Sequence, residues 1–286
     1  MFIHGRKNHA CPVNGLRPNY FVYRKRRLFL KTRMAYTKKN EARYIAHLDL
    51  TRVFDRALRR AKIKAVFTEG FNPHPKISFG PPLPVGVEGQ REFVDMELST
   101  LPDIPEKYFL EETVNKLQSQ LPGGIELIDY AVRSQADKAL TAVINLARYR
   151  TEGLLAGFAE VDRILEFCQK WLAREEVIGV RFQKGKKVER NIRPFVKRIT
   201  VLAQEAAQAD QAGNNAISMQ FDIVTGNSGS VRPIEVLESL RDLAGLPVDL
   251  SGVYTVREGL FIEQPDGRLL DPIEILNLLA ESGEAV

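Results

Sequence analysis

AHLDLTRVFDRALRRAKIKAVFTEGFNPHPKISFGPPLPVGVEG, residues 46–89, reads as a helix, a short strand and a long loop crowded with proline and glycine. In the helical part, Leu50, Val53, Phe54, Ala57, Leu58 and Ala61 recur at the three-and-four spacing of one buried face. Asp49 falls in the first turn, where a carboxylate meets free N–H groups and the positive end of the helix dipole. Arg52, Arg56, Arg59 and Arg60 fall largely on the other side, so the helix shows a row of guanidinium groups to solvent. A strand is expected over 64–68, followed by a loop over 69–90 with Pro73, Pro75, Pro81, Pro82 and Pro84. Loops of this length inside a domain are usually functional or disordered. Phe71, Ile77, Phe79, Leu83, Val85 and Val87 supply apolar anchors, and proline stiffens the segment, so the expectation is a rigid loop that presents something.

Outward from this stretch, residues 27–37 alternate as a first strand and 92–98 as another. Asp103 and Pro105 cap and start a helix with Phe109, Leu110, Val114 and Leu117 inside, and 125–132 gives a further strand. Strand, helix, strand, strand, helix, strand is the ferredoxin-like split order. The second half repeats it loosely: a strand over 140–151, a helix over 161–171, strands over 177–182 and 188–202, a polar turn over 203–215, and a strand over 217–224. A helix opened by Ser230 and Pro233, a hairpin over 253–262 turning at Glu258–Gly259, and a helix after Asp271–Pro272 complete the chain. The expected fold is α+β with two tandem ferredoxin-like (βαββαβ) halves. Residues 1–22 are expected as a basic, disordered extension, 23–135 as the first domain and 136–286 as the second, with a C-terminal helix.

The charge is unevenly distributed. The net +5 hides a segment, residues 1–40, with 11 Lys and Arg and no acid, against 30 basic and 36 acidic residues in the remainder. Within that remainder two basic clusters stand out, 43–64 and 184–198 (KGKKVERNIRPFVKR). Such asymmetry points to an acidic ligand, with solvated charge as the plain alternative. No apolar run approaches a membrane span, and the N-terminus lacks the apolar region of a signal peptide. Cys11 and Cys168, far apart, suit a reducing cytoplasm, and no metal-ligand or iron–sulfur spacing exists, so no metal or cofactor is expected.

The run 47–89, continued by GQREFVDMEL and more weakly by NIRPFVKRI and SGSVRPIEVLESL, resembles the radical SAM-linked protein family. That is a bacterial domain of unknown function encoded beside a radical SAM enzyme or fused to its C-terminal end. The resemblance covers most of residues 27–245 and implies a radical SAM enzyme as partner, but no reaction. Here the chain departs from the family by carrying an extra basic stretch before its first strand.

For chemistry, His47 at the helix start and His74 in the N-P-H-P loop are the histidines outside the basic extension. Each titrates near neutrality and is a candidate general acid or base, and tandem ferredoxin-like folds with such groups resemble the metal-independent endonucleases that process CRISPR repeat RNA. A helix-start cap and a loop brace are the non-catalytic alternatives. Glu69, Phe71, Asn72, His74 and Lys76 cluster on the loop. Arg52, Arg56 and Arg59, three or four apart, and Arg60 project as neighbours fit for phosphate and bases. Lys184, Lys186, Lys187, Arg190, Arg193 and Lys197 offer a second phosphate surface. No P-loop, dinucleotide fingerprint or serine elbow is present. The expected role is a cytoplasmic, noncatalytic RNA-binding or substrate-presenting partner of a radical SAM enzyme, with tRNA or rRNA as the nucleic acid and no membrane. The alternatives are the His47/His74 endonuclease and a protein adaptor that never meets nucleic acid.

Overall fold

The computed structural model describes residues 28–100, 104–134, 138–155, 160–183, 185–205, 216–226 and 229–282. The expected extension 1–22, Asp103, Lys184 and most of the polar turn 203–215 lie outside these residues.

The described residues form a mixed α+β structure built on one large sheet. In the first half, β1 (Leu28–Lys38) pairs antiparallel with both β3 (Glu88–Thr100) and β4 (Leu127–Arg133), while the short β2 (Ile77–Phe79) pairs with β3. In the second, β5 (Leu146–Leu155) lies between β9 (Ala216–Val224) and β10 (Val248–Glu263), and β8 (Val196–Glu205) pairs with β9. The halves join through a parallel contact of β3 and β10, Glu88 opposite Val256 and Gly89 opposite Arg257. The order is therefore β4-β1-β3-β10-β5-β9-β8 across a single sheet. A separate hairpin, β6 (Ile178–Gln183) with β7 (Lys186–Asn191), stands off it.

Alternation along the strands divides the core. Met34, Tyr36, Val94, Met96 and Leu98 face α1 (His47–Arg60) and α2 (Glu106–Gln118), meeting Leu50, Phe54, Ala57, Leu58 and Leu117. The intervening Ala35 and Phe93 point the other way, into a second core shared with α3 (Leu140–Val143), α4 (Val161–Leu172), α5 (Pro233–Ser239) and α6 (Pro272–Ser282). The first half is thus covered on both faces, and its back layer is supplied by the second half. Arg33 secures that layer: it forks onto Asp95 at 2.9 and 3.1 Å and donates to the Pro272 carbonyl at the start of α6. Asp271 and Glu274 form a reciprocal capping pair there, Asp271 accepting from the Glu274 N–H and Glu274 from the Asp271 N–H.

Three expected elements differ. Residues 64–68 form no strand but two isolated bridges, Ala65 to Leu98 and Phe67 to Pro75. The chain doubles back at once, and Pro75 has no N–H with which to extend a ladder. Residues 140–143 are helical, so the strand begins only at Leu146. The expected hairpin at Glu258–Gly259 is a bulge inside one long strand, where the pairing steps from Arg257–Tyr149 to Gly259–Arg148. The extra residue, Glu258, accepts from Arg150 at 3.1 Å and Gln220 at 2.7 Å.

Candidate binding site at the seam

Helix α1 places its charges as its period dictates. Arg52 pairs with Asp49 (2.7 Å) and Arg59 with Asp55 (2.8 Å), both exposed and of small energetic weight. Arg59 also lies over the Phe67 ring, and Arg60 donates to the Gln120 carbonyl after α2. Arg56 makes no ion pair among the described residues. Leu48, at the start of the helix, is 74% exposed.

The long loop divides into two parts. Its first part, Thr68 to His74, is a closed exposed turn: the Thr68 N–H donates to the His74 carbonyl at 2.9 Å, and the His74 N–H to the Thr68 hydroxyl at 3.2 Å. His74 Nδ1 stays within the turn, 3.2 Å from Thr68 Oγ1 and 3.3 Å from the Asn72 carbonyl. Glu69, Phe71 and Asn72 are exposed, Phe71 completely, and Lys76 pairs with Glu97 at 3.1 Å.

The second part is pinned at the seam. The Gly80 N–H donates to the Phe93 carbonyl, and the next two carbonyls, of Pro81 and Pro82, accept from Arg257 at 2.8 and 3.3 Å. Arg257 is buried and forks onto Glu92, with Nε 2.8 Å from Oε1 and Nη2 on the other oxygen, while Nη1 donates to the Tyr149 hydroxyl at 3.3 Å. Every guanidinium N–H direction thus has an acceptor. Burial opposes the charge of Arg257, but Glu92 and Tyr149 outweigh it and hold the pKa above the usual arginine value. Close by, burial lowers the pKa of Lys38, whose ammonium donates to the Arg43 carbonyl at 3.2 Å. Burial, with Lys38 and Arg257, also pushes His47 below its ordinary 6.5, and its ring packs edge-on against Phe79. His47 and His74 therefore serve different surroundings: one lies against the core, and the other braces the exposed turn.

The pinned prolines form one wall of a cavity of about 360 Å³ between the halves. Pro81, Pro82 and Pro84 line it from the first half, and Thr141, Tyr149, Arg181, Arg190 and Arg232 from the second. Gly226 lines it as well. At φ +88° it is in the left-handed region, and a Cβ there would stand 2.6 Å from the Ile144 carbonyl oxygen, so only glycine fits. Among the described residues, no Asp or Glu lines the cavity.

The basic cluster over 184–198 divides by role. Arg190 faces the cavity, stacks over Phe195 at 5.0 Å and donates to the Ser230 carbonyl. Arg193 turns inward: it forks onto the Leu172 carbonyl ending α4 (3.0 and 2.7 Å), reaches the Val196 carbonyl and lies over Trp171. Its guanidinium is committed to the fold, where the sequence had suggested phosphate. Lys187 pairs with Glu189 and Lys197 with Glu263, both at the surface, and Lys186 is exposed. The sequence reading missed Glu92, Tyr149, Arg181, Arg232 and Arg257. A charged residue in an alternating strand, as Glu92 and Arg257 are, was the available signal.

The family model described as an uncharacterized protein conserved in bacteria (DUF2344) matches residues 31–233. The chain belongs to that family. This DUF2344 chain matches none of the curated proteins. Among solved structures it is similar to a chain of a Cbf5-Nop10-Gar1 complex, at 12% identity and TM-score 0.44 over 87% of this chain and 56% of that one. A chain of the archaeal box H/ACA sRNP Nop10-Cbf5 complex gives 11% identity and TM-score 0.39, covering 79% and 48%. The chain thus spans about half the length of these relatives. Among the described residues, no group of three or more His, Cys, Asp or Glu is placed to hold a metal ion, and no helix is long and apolar enough to cross a membrane.

Proposed function

We propose that this protein is a noncatalytic RNA-binding, substrate-presenting partner of a radical SAM enzyme. The observation that supports this reading is the division of the long loop. Its Gly80–Pro82 end is clamped by a buried ion pair, and its first part is a turn whose Phe71, Asn72 and Glu69 are exposed, just after Phe67, over whose ring Arg59 of α1 lies. A surface held rigid before contact loses less entropy on binding. The exposed guanidinium groups of Arg52, Arg56 and Arg59 suit phosphate, and Phe71 offers a face for a base. The partner enzyme comes from the resemblance of residues 47–89, and its chemistry resides in that enzyme.

The same reading takes each half as a ferredoxin-like unit. In the first, β1, α1, β2, β3, α2 and β4 would be arranged β4-β1-β3-β2. In the second, β5, α4, β8, β9, α5 and β10 would be arranged β10-β5-β9-β8, with β6–β7 inserted.

RNA affinity measured against salt tests the proposal. The expected result is a steep fall by counterion release, and a shallower slope with weaker binding in Arg56→Ala/Arg59→Ala. Affinity indifferent to salt and to these changes would favour the adaptor. RNA cleavage by the wild-type protein in EDTA, lost in His74→Ala, would favour the endonuclease.

A further inference from the structure

We propose that the seam cavity is a binding site for a phosphomonoester of nucleotide size, distinct from the surface presented by α1 and the exposed turn. Its volume, about 360 Å³, lies in the range of small-molecule sites. Its charge is one-sided. Arg181, Arg190 and Arg232 line it and, among the described residues, no carboxylate does. The acid behind two of them, buried Glu235, pairs with Arg232 at 2.7 Å and stands 3.6 Å from Arg190, so these two guanidinium groups share one carboxylate. The Tyr149 oxygen already accepts from Arg257, which leaves its own O–H to donate into the cavity. Pro81, Pro82 and Pro84, also in the lining, supply apolar surface for the body of a nucleoside. Cationic forks and apolar proline rings in one lining match phosphate joined to an apolar-faced group.

A free nucleotide and the phosphorylated end of an RNA share this chemistry. Calorimetric titration of the full chain with adenosine and uridine 5′-monophosphates, and with a short oligoribonucleotide with and without a 5′-phosphate, separates the two. Saturable binding of at least one phosphomonoester, absent for adenosine and uridine, and for the oligomer a tighter affinity when the 5′-phosphate is present, is the expected result. Binding of the mononucleotides identifies a nucleotide site, and binding of the phosphorylated oligomer alone an RNA end. In either case Arg181→Gln and Arg190→Gln, checked for an unchanged thermal midpoint, weaken the phosphate-dependent binding about tenfold or more, while Lys170→Ala, at an exposed lysine of α4 outside the cavity, leaves it unchanged. No saturable binding by the folded protein, or binding untouched by both cavity variants, overturns the proposal. Because Arg56 and Arg59 lie outside the cavity, this result and that of the RNA salt experiment fail independently.

Discussion

The two ends of the long loop have similar compositions and opposite situations. Residues 68–74 and 79–84 both mix proline, glycine and an aromatic ring. The first closes on itself through Thr68 and His74 and leaves Phe71 in solvent, whereas the second gives its carbonyls to an arginine more than 170 positions along the chain. Proline restricts the backbone at both ends. What made one end structural is a buried charge pair in the sheet beneath it.

The largest contrast is expected in stability. Arg257→Met leaves Glu92 buried without its partner and frees the Pro81 and Pro82 carbonyls, and denaturant unfolding should show a loss of about 3–5 kcal/mol. His74→Ala removes only exposed hydrogen bonds and should cost below about 1 kcal/mol. Equal costs would mean that the two ends are supported alike. The basic cluster divides in the same way: Arg193→Ala should cost about 1.5–3 kcal/mol through its bonds to the Leu172 and Val196 carbonyls. Lys187→Ala, at the surface, should stay within about 0.5 kcal/mol of wild type.

A smaller effect concerns His47, which touches the pinned end through Phe79. Its folded pKa is depressed below 6.5, chiefly by burial. The folded state then binds fewer protons there than the unfolded state. The resulting contribution to stability is complete above the unfolded value and is lost as pH falls from 6.5 through the depressed folded value. His47→Gln should flatten the unfolding free energy against pH across that window, while His74→Ala should leave the slope at His47 intact.

Much of the fold was legible because its signals are local. The apolar spacing of α1, Pro105 before α2 and Asp271 before α6 each act within a turn or two, and the structure places helices at all three. Alternation found β3 but took Glu92 for the start of a strand, when its side chain is the counterion of a residue in the other half. The same limit hid the cavity. Arg190 lies in a run rich in Lys and Arg, but nothing in that run separates it from Arg193, which faces a helix end. Which arginine meets solvent and which meets a carbonyl is decided by packing between distant segments. The bulge at Glu258 is similar: Glu–Gly reads as a turn, and only the partners Arg150 and Gln220 keep the strand running.

The most direct test of the account is whether the exposed turn is the contact and the pinned end its support. Wild-type protein and the Asn72→Ala/His74→Ala variant, matched for thermal midpoint, would be crosslinked in cells and purified, and the bound radical SAM enzyme and RNA quantified together. The account predicts that wild type carries the enzyme and that the variant, still folded, loses most of it. Equal recovery of the enzyme with both proteins, or no radical SAM enzyme with either, would contradict it.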